Sequence, residues 1–354
     1  MSLSEDTFVQ KELDLKCAKT NQNISLDRPK RLGYFSIYRN DDKESVYCPD
    51  KSALAYLDLP DPVSIDCLQG YDPNNKYGYQ RSKNKNLLQW ILENEAIVID
   101  LNYDFVCNNG VLKDIMTSPY QNLDWTLCAV KIRGKIVLNK IASNEEKEKI
   151  ETRSENDNKS IYAAFNLQRL VVKNSNRSEF TSGKETDSFH GVFHSKIGSH
   201  GVLHAGYLNC LESKQELDKP FDEMKFVLVK KFNAPKESHS FFHGNTWWSL
   251  AVLSGIDTII RAKCEQDFMV KSIDKLQVDS LVNKHRQSIF VASLTSILGH
   301  VKSIVTEENK CYNFHFNGKD KKSTGYVKMD LDDDLIPGWY INGQHPNKSH
   351  SPFI

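Results

Sequence analysis

Apolar positions recur along this chain in two rhythms. In Leu87-Leu88-Gln89-Trp90-Ile91-Leu92 they fall on one helical face. Residues 111–116 suit a short helix that must end before Pro119, because proline disfavours helical backbone in the residue ahead of it. Residues 161–172 read as a core helix, 241–253 with Trp247-Trp248 as a buried helix, and 287–305 as a long helix. The β-type segments are 96–106 (one strand or two), 189–210, 225–232, 257–264, 312–316 and 325–329. Residues 125–141 hold two apolar runs around Arg133-Gly134-Lys135, which predicts a hairpin.

Other stretches lack a rhythm. Residues 1–30 are polar and predict a tail with an ordered patch near Leu13 and Leu15; residues 346–354 predict a second tail. Tyr71-Asp72-Pro73-Asn74-Asn75 is turn chemistry, and 174–187 is a Ser/Asn/Gly-rich loop. Residues 144–159 are almost wholly charged and polar, as in a solvated helix or an insertion. Pro337-Gly338-Trp339-Tyr340-Ile341 closes the fold. With no repeat and no clear linker, the pattern predicts one large α+β domain over residues 31–345.

Composition narrows the classes. The 354 residues are 39% apolar, enough for a sizeable core at this length. Lys+Arg and Asp+Glu are 46 each, so no overall positive field draws the chain to polyanions. A local groove stays open as an idea: Lys230 and Lys231 at a strand end, with Lys131, Arg133 and Lys135 on the hairpin, are candidates to hold phosphates. No apolar run approaches the roughly 18 residues of a membrane span, and the N-terminal MSLSEDTFVQKELDLK is not a secretory signal. The eight cysteines lie at least 19 residues apart, without short zinc-ligand spacing. The expectation is an intracellular chain with free thiols and no cofactor.

Candidate chemistry is sparse. His190, His194, His200 and His204 share one segment, but glycines interrupt it and no HExxH is present, so they read as scattered polar positions on a sheet. There is no phosphate-binding glycine loop and no GxSxG elbow. The acidic run at residues 330–334 reads as a solvated turn rather than a cation site.

Several short segments, in order, carry a resemblance. They are Leu32-Gly33-Tyr34-Phe35-Ser36, Gly70-Tyr71, the 87–92 helix with Trp90, Thr117-Ser118-Pro119-Tyr120, Ser195-Lys196-Ile197-Gly198-Ser199-His200, residues 206–210, Trp247-Trp248 and residues 337–340. Together they resemble the DXO-type RNA 5′-end decapping exonucleases. That resemblance implies two mixed β-sheets flanked by helices, a core of the PD-(D/E)xK nuclease kind, and an acidic cleft between the sheets. In such a cleft Mg²⁺ or Mn²⁺, held by hard oxygen ligands, would activate water against a phosphate.

This sequence departs from the family at each motif. Where the family has a phosphate-contacting arginine before glycine, Asn109 precedes Gly110. The helical glutamate corresponds to Gln168. The glutamate and aspartate two apart on a strand, hence on one face, correspond to Tyr207 and Asn209. Glutamate-x-lysine becomes Leu228-Val229-Lys230, and the polar RNA-contacting residue after the tryptophan pair is Leu250. With all four carboxylates gone, the resemblance implies a pseudoenzyme without metal or catalytic residues. A divergent enzyme with relocated ligands is the alternative.

The emptied site is similar to that of the Cutoff-like branch of the family, from the insect germline piRNA pathway. That likeness implies a nuclear adaptor for Deadlock-type and Rhino-type chromatin proteins. Such an adaptor would protect nascent piRNA-precursor transcripts from 5′-end processing, termination and splicing. Two modes stay open: an RNA 5′-end binding cleft with Lys230, Lys231 and Arg133 on phosphates, and a scaffold whose cleft is filled by Tyr207, Leu228 and Leu250.

Overall fold

The computed structural model describes residues 13–15, 26–39, 45–75, 77, 84–142, 144–174, 187–233, 240–324, 328–330 and 335–346. Most of the acidic run 330–334, most of the loop 174–187 and part of the strand expected at 325–329 lie outside the described residues.

In the first half the strands are β1 (Leu13–Asp14), β2 (Lys30–Arg39), β3 (Ser45–Cys48), β4 (Tyr56–Leu57), β5 (Ile65–Asp66), β6 (Phe105–Asn108), β7 (Trp125–Ile132), β8 (Lys135–Ile141) and β9 (Val172–Lys173). The helices are α1 (Lys85–Glu93), α2 (Glu95–Val98), α3 (Asn109–Thr117), α4 (Asn144–Glu151) and α5 (Glu155–Leu170). The second half holds β10 (Ser188–Ile197), β11 (His200–Tyr207), β12 (Cys210–Leu211), β13 (Phe226–Asn233), β14 (Thr258–Cys264), β15 (Met269–Gln277), β16 (Lys310–Asn317), β17 (Lys322–Thr324) and β18 (Lys328–Asp330). Its helices are α6 (Ser240–Leu253), α7 (Lys284–Ile304) and α8 (Gly338–Ile341).

Two mixed sheets form. The first runs β1-β17-β16-β7-β8-β6-β11-β10-β2-β3, with β18 also on β16; the second runs β5-β15-β14-β13-β12-β4-β9. The expected two-sheet α+β architecture is therefore present. The hairpin forms as read, with Arg133 and Gly134 at positive φ in its turn. The N-terminal patch is ordered too: Leu13 pairs with Ser323, and Leu15 is buried between the sheets.

Other expectations are corrected. Residues 96–106 are not one continuous β segment: the first part is α2, and only Phe105–Asn108 is a strand. The charged stretch 144–159 is α4 and the start of α5, whose Ser154 side chain accepts from the Asp157 N–H as a cap. β15 was not read from the sequence, because a strand at the solvent face alternates few apolar residues (MVKSIDKLQ). Cys128 and Cys311, on neighbouring strands, form a disulfide, so not every thiol is free; Cys48, Cys67, Cys107, Cys210 and Cys264 are. Among the described residues no helix is long and apolar enough to cross a membrane.

Three apolar layers hold the sheets. Helices α3, α6 and α7 fill the space between them, through residues such as Ile115, Trp248 and Leu294. The outer face of the first sheet is covered by α1, where Leu88, Trp90 and Ile91 pack on Val106, Val192 and Leu203. The outer face of the second is covered by α5, where Ala163 and Leu167 pack with Val227 and Val229. Trp90 lies flat on β2 because Gly33 has no side chain; a Cβ there would sit 2.5 Å from Trp90 Cζ2.

A buried polar chain ties the first sheet to the inter-sheet helices. Ser195 on β10 lies 2.7 Å from His204 Nε2 on β11, and His204 Nδ1 lies 2.5 Å from Asn109 Oδ1 at the start of α3. Asn109 Nδ2 donates to Ser254 Oγ, just beyond α6, at 2.9 Å. Because the amide oxygen only accepts, His204 must carry its proton on Nδ1 and accept from the serine hydroxyl on Nε2. Burial, with a smaller contribution from His194, pushes the His204 pKa down to about 3.

Two predictions follow from this packing. Trp90→Ala empties the contact over Gly33 and is expected to cost about 3–5 kcal/mol in urea unfolding. His204 stays neutral in the fold, whereas the unfolded chain protonates it below about pH 6.5. The stability it contributes is therefore full above that pH and is lost as pH falls toward 3. Between pH 7 and pH 5 the wild type should lose roughly 2 kcal/mol more than His204→Gln, measured by urea unfolding at both values.

Candidate functional site between the two sheets

The chain passes from one sheet to the other at Tyr207-Leu208-Asn209-Cys210. β11 ends in the first sheet at Tyr207, and β12 begins in the second at Cys210, which pairs with Val227 of β13. Continuing that antiparallel register places Asn209 across from Leu228. Leu228 is buried in the layer between the sheets, while Val227 and Val229 point to α5. By strand alternation Lys230 shares the inner side with Leu228. Asn109, at the first turn of α3, is held over Gly206: a Cβ at that glycine would lie 2.1 Å from Asn109 Nδ2. Leu250 on α6 is half-buried against the same core.

The structure thus brings Asn109, Asn209, Leu228, Lys230 and Leu250 to one layer. Two other expected members lie elsewhere. Tyr207 continues the Leu203 and Ala205 side of β11, the outer face of the first sheet. Its ring centroid is 5.8 Å from that of His190, which stacks at 5.2 Å on Phe35. Gln168 is carried by α5, which packs on the opposite face of β13 from Leu228 and Lys230. The twist between sheets at residues 207–210 breaks the simple rule that residues two apart share a face.

Nor do the basic candidates line one groove. Arg133 donates to Glu95 at 2.9 Å and sits 5.8 Å from the Tyr340 ring. Lys135 donates to the Tyr103 carbonyl, and Lys131 to that of Thr306. Lys231 turns to the α5 side, with Ser160 Oγ at 3.0 Å and Asn233 Oδ1 at 2.9 Å. Of the five, only Lys230 faces the inter-sheet layer.

Two charged neighbours went unread in the sequence. Lys113 follows Asn109 by four on α3, the spacing that puts both on one helix face, and that was the available signal. Asp114 is ion-paired to Lys113 and, at 2.7 Å, to Lys140 of β8. Burial works against its ionisation, yet the two ammonium groups hold its carboxyl below the usual range. Lys230 has the reverse setting. Burial first, and the positive charge of Lys113 second, push its pKa down to about 8. Among the described residues it has no hydrogen-bond or ion-pair partner. Asn209 is 7% exposed, and neither its Oδ1 nor its Nδ2 has a partner.

A divalent ion needs several hard anionic oxygens. Here the carboxylate positions that reach this layer carry the Asn209 amide and the Leu228 isobutyl group, which supply no anionic oxygen. These residues do not fit Mg²⁺ or Mn²⁺. Among the described residues, no group of three His, Cys, Asp or Glu side chains is arranged to hold a metal. Of the nearby acids, Asp114 is engaged by two lysines, Glu212 by Lys275 and Glu216 by Lys219, while Glu223 is exposed.

Comparison with known proteins agrees with this fold. The chain is 24% identical over 347 residues to the Drosophila melanogaster decapping and exoribonuclease protein Rai1, covering 89% of this chain and 91% of that protein. It is 22% identical over 359 residues to the human decapping and exoribonuclease protein, covering 92% and 89%. The crystal structure of Candida albicans Rai1 in complex with pU5-Mn2+ superposes with a TM-score of 0.77 at 16% identity, over 95% of this chain and 98% of that one. Scheffersomyces stipitis Rai1 gives 0.76 at 14% identity, over 97% and 99%. The family model described as RAI1 like PD-(D/E)XK nuclease matches residues 27–341, so the chain belongs to the RAI1-like PD-(D/E)XK nuclease family.

Proposed function

We propose that this chain is a non-hydrolytic member of the family that serves as a nuclear adaptor. In this reading it belongs to the Cutoff-like branch and shields nascent piRNA-precursor transcripts from 5′-end processing, termination and splicing. It would do so by engaging Deadlock-type and Rhino-type chromatin proteins, with contact to the RNA 5′ end as a second element. The observation that carries the proposal is the charge of the inter-sheet layer. Where hydrolysis by this fold needs carboxylates around a divalent ion, the chain has Asn209 and Leu228, neither of which carries a negative charge.

The physical argument is one of sign. A neutral amide brings no negative charge and a leucine offers no lone pair, so the affinity conferred by several carboxylates is lost. Without a metal there is nothing to lower the pKa of an attacking water or to neutralise charge on the phosphate. Leu228 instead joins the core. Full burial of such a side chain is worth about 1.5–3 kcal/mol, so the change away from chemistry also favours the fold. A scaffold needs only that fold and its outer surfaces.

The test is a 5′-end hydrolysis assay on 5′-monophosphate, 5′-triphosphate and capped RNA with Mn²⁺ or Mg²⁺. No product above the enzyme-free blank is expected. Metal-dependent product that disappears with EDTA would overturn the proposal. In parallel, Asn209→Asp combined with Leu228→Glu places two carboxylates beside Lys230. Calorimetry should then show saturable Mn²⁺ binding for this variant and none for the wild type.

A further inference from the structure

Away from the cleft, two thiols meet at the opposite end of the second sheet. Cys264 is the last residue of β14, level with Asn233 at the end of β13 and opposite Val270 of β15. Val270 pairs on its other edge with Ile65 of β5. Cys67 follows that strand, and its N–H donates to the Phe268 carbonyl at 3.2 Å. β15 begins at Met269, so beyond that point no strand separates the two cysteines. Both belong to the apolar layer under α5 and both are 0% exposed, and the Cys67 thiol hydrogen-bonds to the Cys264 sulfur.

We propose that Cys67 and Cys264 are a redox-active pair, a dithiol that hydrogen peroxide converts to a disulfide tying the β5 edge to β14. Sulfurs already in contact need only a small closure to the about 2.05 Å of an S–S bond. Cys264 is the nucleophile. The hydrogen bond from Cys67, and then the Lys231 ammonium, hold its thiol below the usual range against the opposing effect of burial. Cys67, which gives that hydrogen bond, is pushed up and acts second. The Cys264 thiolate attacks one peroxide oxygen, the O–O bond breaks, and the departing hydroxide takes up the proton that the thiol has lost. Cys264 is then a sulfenic acid. The Cys67 sulfur attacks it, the S–O bond breaks, and the Cys67 proton leaves with the hydroxyl as water. Two thiols are oxidised and one peroxide is reduced to two waters.

The surroundings admit a small oxidant. β5 is a two-residue edge strand, of the kind that opens locally at small free-energy cost. Asp66 and Glu265, next to the two cysteines, are exposed. Phe268, in the turn joining β14 to β15, holds a φ of 65°, uncommon for a residue with a side chain. Cys107 and Cys210 differ: burial alone acts on them and pushes both thiols up, which makes them inert. The Cys67 carbonyl also accepts from Asn166 Nδ2 of α5 at 3.2 Å, so the link fixes the seat of that helix on the sheet.

The experiment exposes the folded full chain to hydrogen peroxide, quenches with an alkylating reagent and maps the peptides by mass spectrometry. The expected result is a Cys67–Cys264 linked peptide that dithiothreitol removes, with Cys264 consumed about tenfold faster than Cys107. Peptide mapping separates this link from that of Cys128 and Cys311. Cys67→Ser removes the second thiol, so Cys264 should stop at the sulfenic acid and take a dimedone label that the wild type lacks. Cys264→Ser should slow the consumption of Cys67 to the Cys107 rate. The wild-type arms decide the matter even where a variant does not fold. A wild type that gives no linked peptide, a link that forms only in urea, or equal dimedone labelling of the wild type and Cys67→Ser would overturn the proposal.

Discussion

Everything at the cleft depends on the passage of one strand between two sheets. The backbone leaves the first sheet at Tyr207 and enters the second at Cys210, so Leu208 and Asn209 sit where the sheets diverge. Leu208 still donates its N–H to the Phe189 carbonyl, while Cys210 already pairs with Val227. Apolar helices must fill the wedge between the sheets, and any polar group there needs an internal partner. The chain meets that demand on one side with Ser195, His204, Asn109 and Ser254 in a closed hydrogen-bonded line. On the other side it leaves Asn209 and Lys230 open.

That asymmetry defines what the site can do. Asn109 spends both ends of its amide within the protein, so it is a structural tie rather than a phosphate contact. Asn209, by contrast, is buried with neither amide atom hydrogen-bonded. A cleft with carboxylates at residues 209 and 228 would draw cations. Here the charges around the layer are Lys113, Lys140 and Lys230, with Asp114 and Glu146 paired to the lysines. The fold tolerates the loss of carboxylates because the inter-sheet layer is dominated by dispersion and apolar burial from α3, α6 and α7, not by the cleft residues. Natural proteins give up stability to hold reactive groups; here Leu228 is simply part of the core.

Much of this was legible in the sequence. The 125–141 hairpin, the 241–253 and 287–305 helices and the order of the family segments gave the architecture, because long periodic runs and turn residues act locally. The absence of carboxylates at residues 168, 207, 209 and 228 was equally visible. What was not legible is three-dimensional. The sheet-to-sheet twist turns Tyr207 outward toward His190, and the packing of α5 on the outer face takes Gln168 away from Leu228. Adjacent lysines at 230 and 231 look like one basic patch in sequence, yet alternation sends them to opposite faces of β13. Residues 96–106 mislead for a similar reason, since their apolar content suits a buried strand or a short exposed helix equally well.

The central claim is that the inter-sheet cleft excludes divalent cations. It is tested most directly by anomalous diffraction from crystals of the chain soaked in Mn²⁺ at a concentration that saturates active relatives. No manganese peak is expected among Asn209, Leu228 and Lys230. A well-occupied peak there, with ligands at metal–oxygen distance, would contradict it.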